Sequence, residues 1–232
     1  MISGNLIRLA ALLLLASSPL HAGNGKPAAR PDPSREPIQN DQPGLLQDSL
    51  PESPKLILAC SGVFGRDTSH AKLVAEFGVK SVVFKEIDGQ EGTRDKATVL
   101  FDDDPTRRAV VYWRDLNAKA RPSRIEISAP STWAGPGGIR NGLPLKEVEK
   151  LNGAAFMLNG FGWEGSGFVP VFKGALAAPP GGCTLTARFE PGIANPLPPK
   201  FAAITGDKEV ASSNPLMRRA RPQLSEWTVN YQ

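Results

Sequence analysis

The sequence predicts an α+β fold made of two tandem units, each a short helix followed by an antiparallel meander. Three observations predict it. Residues 68–77, TSHAKLVAEF, and 144–151, PLKEVEKL, carry apolar side chains at helical spacing, and glycines at 78 and 153 follow them. Each run is followed by short stretches rich in β-branched and aromatic residues, separated by turn residues, which is the signature of hairpin-connected strands. A shift of 75 positions superposes Phe64 on Ile139, Leu73 on Val148, Gly78 on Gly153, Val82 and Val83 on Met157 and Leu158, and Val110 on Leu185. Element order plus a shared glycine is the mark of an internal repeat.

Along the chain, the folded part is expected to begin near Lys55, with an apolar strand or its lead-in at 56–59. In the first helix Ala71, Leu73, Val74 and Phe77 share a face. Thr68 is the expected N-cap and Gly78 the C-cap. Strands are expected at 81–84, 97–101, 109–113 and 123–128, with turns at 88–92 and at the Asp102-Asp103-Asp104-Pro105 run. In the second unit Leu145, Val148 and Leu151 form the helix stripe, and strands are expected at 156–158, 168–172 and 183–189. The 206–215 tail reads as polar, and 224–231, LSEWTVNY, alternates as a terminal strand at a sheet edge.

The N-terminus has a basic residue, Arg8, then an apolar run over 9–16, then Leu20-His21-Ala22. That is the layout of a secretory signal with its cut after Ala22. The run is well short of the roughly 20 residues that cross a bilayer. Residues 23–54 hold seven prolines and few large aliphatics, too little apolar surface to offset ordering. The expected organisation is a signal peptide at 1–22, a disordered proline-rich linker at 23–54, a first unit at 55–128, and a second at 129–232 that includes the terminal strand. Ile57-Leu58-Ala59-Cys60 is a weak likeness of a lipidation box, but it lies behind a polar stretch. The chain's formal charge of +4 becomes +3 without Arg8, too mild for the concentrated basic face that nucleic-acid binding needs. Phosphate-loop and dinucleotide motifs are absent from the sequence, so no cofactor is implied.

Two cysteines, Cys60 and Cys183, remain after export. In an oxidising compartment an even pair suggests a disulfide. Closing the loop of roughly 120 residues between them stabilises by about 4–5 kcal/mol on the chain-entropy estimate. Free buried thiols or a reactive thiol are the alternatives, and only His70 could assist the latter.

Residues 141–153, NGLPLKEVEKLNG, resemble the glycine-led helix of the small outer-membrane assembly lipoproteins of the SmpA/OmlA type, a helix shared with the tandem-repeat β-lactamase inhibitory proteins. Residues 68–78 resemble a second copy, without the leading glycine at Asp67. The resemblance implies an inhibitory-protein-like duplicated architecture. Leu143-Pro144 departs from the usual Met-Ser/Thr. Residues 151–164, LNGAAFMLNGFGWE, also resemble a set of uncharacterised secreted bacterial proteins with an LNG…GFGW signature, which brings no activity with it.

Candidate chemistry is sparse. His70 has no second histidine for a metal site after export. Asp102, Asp103 and Asp104 could offer oxygens to calcium, yet Pro105 and the flanking strands describe a turn. No serine has a nucleophile setting. Glu164, beside Trp163, is the one acid whose neighbours suggest a glycosidase carboxylate, and it lacks an evident partner. Phe161 and Trp163, two apart, would share one face of a strand. Turned inward they cap the core. Turned outward, with Glu164 and Arg140, they form a contact surface of the kind protein interfaces favour. The expectation is therefore an exported, non-catalytic protein that contacts another envelope or secreted protein, as an inhibitor or a scaffold. The alternative is a cell-wall or glycan hydrolase using Glu164.

Overall fold

The computed structural model describes residues 56–89 and 92–232. The expected signal peptide and linker lie outside the described residues. Alternating β-branched and polar runs in the first half make a meander of four strands: β1 (Val82–Asp88), β2 (Arg94–Leu100), β3 (Ala109–Asp115) and β4 (Ala120–Ser128). In the second half come β5 (Met157–Asn159), β6 (Phe168–Val169), β7 (Cys183–Glu190), β8 (Glu209–Ala211) and β9 (Gln223–Tyr231). Seven of them form one antiparallel sheet in the order β1-β2-β3-β4-β9-β7-β6, and β5 pairs with β8 separately. With three short helices the class is α+β.

Helix α1 (His70–Phe77) is capped by Ser69, whose side chain accepts from the Lys72 N–H at 3.3 Å. The expected cap, Thr68, is fully buried and donates to the Val63 carbonyl at 2.6 Å instead. Gly78 ends the helix at φ 83°, where a side chain would be strained. Helix α2 (Leu145–Asn152) follows Pro144, ends at left-handed Gly153 and buries Leu145 and Val148. Helix α3 (Pro215–Arg219), which begins at the last residue of the polar 206–215 stretch, is capped by Asn214, which accepts from the N–H groups of Leu216 and Met217.

The two halves are not used alike. Helices α1 and α2 each span eight residues and begin 75 positions apart, each preceded by a 3-10 turn, Gly62–Phe64 and Pro136–Gly138. After α1 the strands run straight into the large sheet. After α2, β5 leaves it to pair with β8, and β6 is only two residues long. Pro170 cuts β6 short, because it has no N–H for a ladder. The terminal strand is a correction to the expectation of an edge: β9 sits between β4 and β7, joining strands from both halves.

The strand register divides the sheet into two faces. One carries rows such as Phe84–Thr98–Val111–Ile125–Val229–Leu185 and Ile127–Trp227–Ala187–Val169. These pack with Leu73 of α1, Val148 of α2 and Met217 of α3 in a single core. Trp227 fits because its neighbour Ala187 is small and because a Cβ on Gly135 would lie 2.6 Å from its indole. Thr98, polar on this face, accepts from Trp113 Nε1 at 2.9 Å and lies 3.0 Å from His70 Nδ1. Cys60 and Cys183 form a disulfide, with Cα atoms 6.0 Å apart and a sequence separation of 123. It ties the chain ahead of α1 to the start of β7. No helix among the described residues is long and apolar enough to cross a membrane.

Candidate functional site

The opposite face of the large sheet holds a groove of about 740 Å³, and every one of the seven strands contributes a lining side chain. Its floor is set by register. Three rows cross it: Val110–Glu126–Thr228–Thr186, Tyr112–Arg124–Asn230–Thr184 and Ser128–Glu226–Arg188–Phe168. Period-two alternation puts these residues on one side while Ile125, Ile127, Trp227 and Val229 go to the core.

The cations in the groove are held. The Arg124 guanidinium stacks on the Tyr112 ring, 3.6 Å from its centroid, and lies 3.9 Å from Asp95. Arg188 Nη1 donates to the carbonyls of Glu164 and Ser166, at 3.3 and 3.0 Å, and its guanidinium lies 5.6 Å from the Phe168 ring. The carboxylates are less well matched. Ser128 Oγ donates to Glu226 at 3.1 Å. Glu126 lies diagonally across from Glu226 on the next strand, a relation that places such pairs about 7–8 Å apart. Burial raises the Glu126 pKa above the ordinary carboxylate range. The charge of Glu226 raises it further, against the opposing pull of Arg124, Arg108 and the Ser128 hydroxyl. Tyr112 is also raised, first by burial and then by Glu126. A second, smaller cavity of about 100 Å³ borders Glu126 on the Arg108 side. Chemically, the face offers two aromatic rings, hydroxyls, an amide and two carboxylates near mid-sheet that repel each other.

The residues singled out from sequence are not gathered there. Phe161 is in the core, 1% exposed, and its N–H donates to the Ile204 carbonyl at 2.9 Å. Trp163 is half-buried. Its indole lies against Gly165 and donates to the Gly160 carbonyl at 2.9 Å. The two do not share a strand face, because the chain turns at Gly162, φ 83°. Glu164 is exposed on that turn. Arg140 is exposed between the Pro136–Gly138 turn and α2, and no hydrogen bond or ion pair joins it to Glu164 among the described residues. The arginine that does meet the turn is Arg188.

The other candidates are engaged structurally. His70 bonds Thr98, and burial, then the charge of Lys119, lowers its pKa. Asp102 pairs with Lys85 at 2.6 Å and Arg108 at 3.7 Å. Asp104 accepts from the Thr106 N–H and hydroxyl at 3.0 and 2.7 Å, fixing the turn. No group of three metal-ligating side chains occurs among the described residues.

Sequence reasoning missed Glu126, Glu226, Arg124 and Tyr112. Each is the polar member of an alternating strand, and alternation alone marks such a residue only as facing away from the core. The signal that makes them a site is the pairing of β4 with β9, about 100 residues apart in the chain. No known family model, curated protein or solved structure matches this chain.

Proposed function

We propose that this is an exported, non-catalytic binding protein that acts by protein–protein contact, as an inhibitor or an envelope scaffold, with the groove face of its large sheet as the docking surface. The observation that carries the reading is the groove itself: all seven strands line it, and Tyr112, Phe168, Arg124 and Arg188 supply aromatic and guanidinium groups of the kind that dominate interface energetics. The disulfide and the lack of a long apolar helix among the described residues are compatible with an extracytoplasmic protein. The expected signal at 1–22 and linker at 23–54 complete that reading. The resemblance of residues 141–153 to the assembly-lipoprotein and inhibitory-protein helix supports a duplicated, inhibitor-like origin, as do the matched offsets of α1 and α2. The divergent pairing of β5 departs from it.

The test is affinity capture from a periplasmic extract with the full chain and with Thr186→Arg, which places a long side chain on the groove floor. A stoichiometric partner retained by the wild type and lost with Thr186→Arg supports the reading. A partner held equally by both removes the groove from it.

A hydrolase is the rival, and one observation favours it: two carboxylates, Glu126 and Glu226, share the groove and one of them has a raised pKa, which is part of what a glycosidase needs. The acid expected from sequence, Glu164, stands exposed on a turn with its carbonyl bonded to Arg188. Turnover of a wall-glycan panel that disappears in both Glu126→Gln and Glu226→Gln would replace binding with catalysis.

A further inference from the structure

We infer that the Glu126–Glu226 pair is a receptor for one cationic side chain, a lysine or arginine presented by the partner protein. The inference rests on the groove being the docking surface and names what enters it. Charge carries it. The chain as a whole is basic, at +4. The groove is lined by four carboxylates, Asp88, Asp95, Glu126 and Glu226, against two guanidiniums, Arg124 and Arg188.

The peripheral acids already have partners within the protein. Asp88 lies 3.4 Å from Arg94, and Asp95 lies 3.9 Å from Arg124. Arg188 is directly opposite Glu226 across β7 and β9, yet its Nη1 is turned to the carbonyls of Glu164 and Ser166. Arg108, the other cation facing Glu126, is 3.7 Å from Asp102. That leaves two like charges on neighbouring central strands with a single hydroxyl, that of Ser128, between them. A diagonal pair about 7–8 Å apart at the backbone can close on one ammonium or guanidinium from both sides. Such a guest removes the repulsion that the free protein sustains, so the relief appears as affinity. A neutral or acidic guest gains nothing at this point and leaves two carboxylates desolvated.

The probe is a short acetylated peptide with one arginine between glycines, titrated into the full chain and followed by NMR. The control is the same peptide with citrulline, which keeps the shape and removes the charge. Shifts confined to the groove strands β3, β4 and β9 are expected with arginine and not with citrulline. Glu126→Gln and Glu226→Gln should each weaken binding at least about tenfold, as loss of a charged hydrogen-bond partner does. Two variants on separate strands guard against misfolding of one.

Binding should also weaken as the pH falls from 7 toward 4.5, the ordinary glutamate value, because protonated Glu126 no longer attracts a cation. The groups facing it are Glu226 from β9, Tyr112 from β3, Arg108 ahead of β3 and Arg124 on its own strand. Equal binding of the citrulline peptide, or of arginine to both variants, overturns the inference. So does glycan turnover that both variants abolish. If the captured partner is held as tightly by the two glutamine variants as by the wild type, the cation site falls while groove docking stands.

Discussion

The two faces of the large sheet are made from the same strands and treat alternate residues in opposite ways. On β4 and β9, Ile125, Ile127, Trp227 and Val229 go to one side and Arg124, Glu126, Glu226, Thr228 and Asn230 to the other. The first side is closed by three helices and contains the largest buried side chains. The second is left open, and its central residues repel one another. The difference separates what the fold needs from what it tolerates. Apolar burial near 25 cal/mol per Å² explains the packed face. Nothing in folding asks for two carboxylates near the middle of the other. A local arrangement that lowers stability without a structural return is where function is to be sought.

The packed side is the more sensitive of the two. Trp227→Ala empties the space bounded by Ala187, Ile127 and Gly135, and the alanine and the glycine have no side chain long enough to fill it. The expected loss is about 3–5 kcal/mol, read from denaturant midpoints. A loss under about 1 kcal/mol would mean the core face is not the one identified. Replacing Cys60 and Cys183 together by serine should cost about 2–5 kcal/mol. That is read by comparing the variant with the oxidised wild type. Groove binding measured below the melting transition should survive, because the disulfide joins the core-face residue of β7 to the chain ahead of α1.

Next in size is Gly167→Ala. Gly167 has φ 66°, and a Cβ there would run into the backbone carbonyl of Phe189 on β7. The Phe189 N–H donates to the Gly167 carbonyl at 2.9 Å, so neither chain can yield without losing that bond. A left-handed alanine costs about 1–2 kcal/mol before the clash is counted, so roughly 2 kcal/mol or more is expected. The effect should be local: hydrogen exchange should quicken in β6 and the end of β7 and stay unchanged in β1 and β2. Uniform acceleration would deny the edge its separate character.

Much of the packed face was legible in the sequence, and little of the groove. Leu73, Val148 and the glycines at 78 and 153 placed both helices to within two residues, since helical spacing and caps are local. Alternation in 224–231 placed β9 almost to its ends. Its position between β4 and β7 was not legible, because pairing partners are chosen by the whole hydrophobic pattern and not by neighbours in the chain. Phe161 and Trp163 show a related limit. Two-residue spacing predicts a shared strand face; Phe161 does enter the core, but the glycines between and after the pair turn the chain, so Trp163 does not follow it. Glu126 and Glu226 each looked like an ordinary solvent-side residue. They become a pair only once Glu126 is set opposite Thr228, and Glu226 opposite Ser128.

On the groove side a substitution should change stability least. Glu126→Gln keeps shape and hydrogen-bonding reach while removing the charge. The folded-state pKa of Glu126 is raised, by burial first and by Glu226 second. A carboxyl raised in the folded state contributes stability that is fully present below its unfolded value and lost as pH rises through the folded one. At pH 7 the wild type therefore bears a charge its surroundings disfavour, and Glu126→Gln should melt at a higher temperature. The advantage should shrink as the pH falls, because the raised pKa lets Glu126 take up its proton in the folded protein before an ordinary glutamate would. In a Glu226→Gln background part of the gain should already be taken, because the repulsion has gone and only the burial cause remains. The two substitutions should then fall short of additivity, by an amount a double-mutant cycle in melting temperature reads directly. Strict additivity would mean the carboxylates do not sense each other, and the groove would lose the one feature that distinguishes it from an ordinary solvated sheet face.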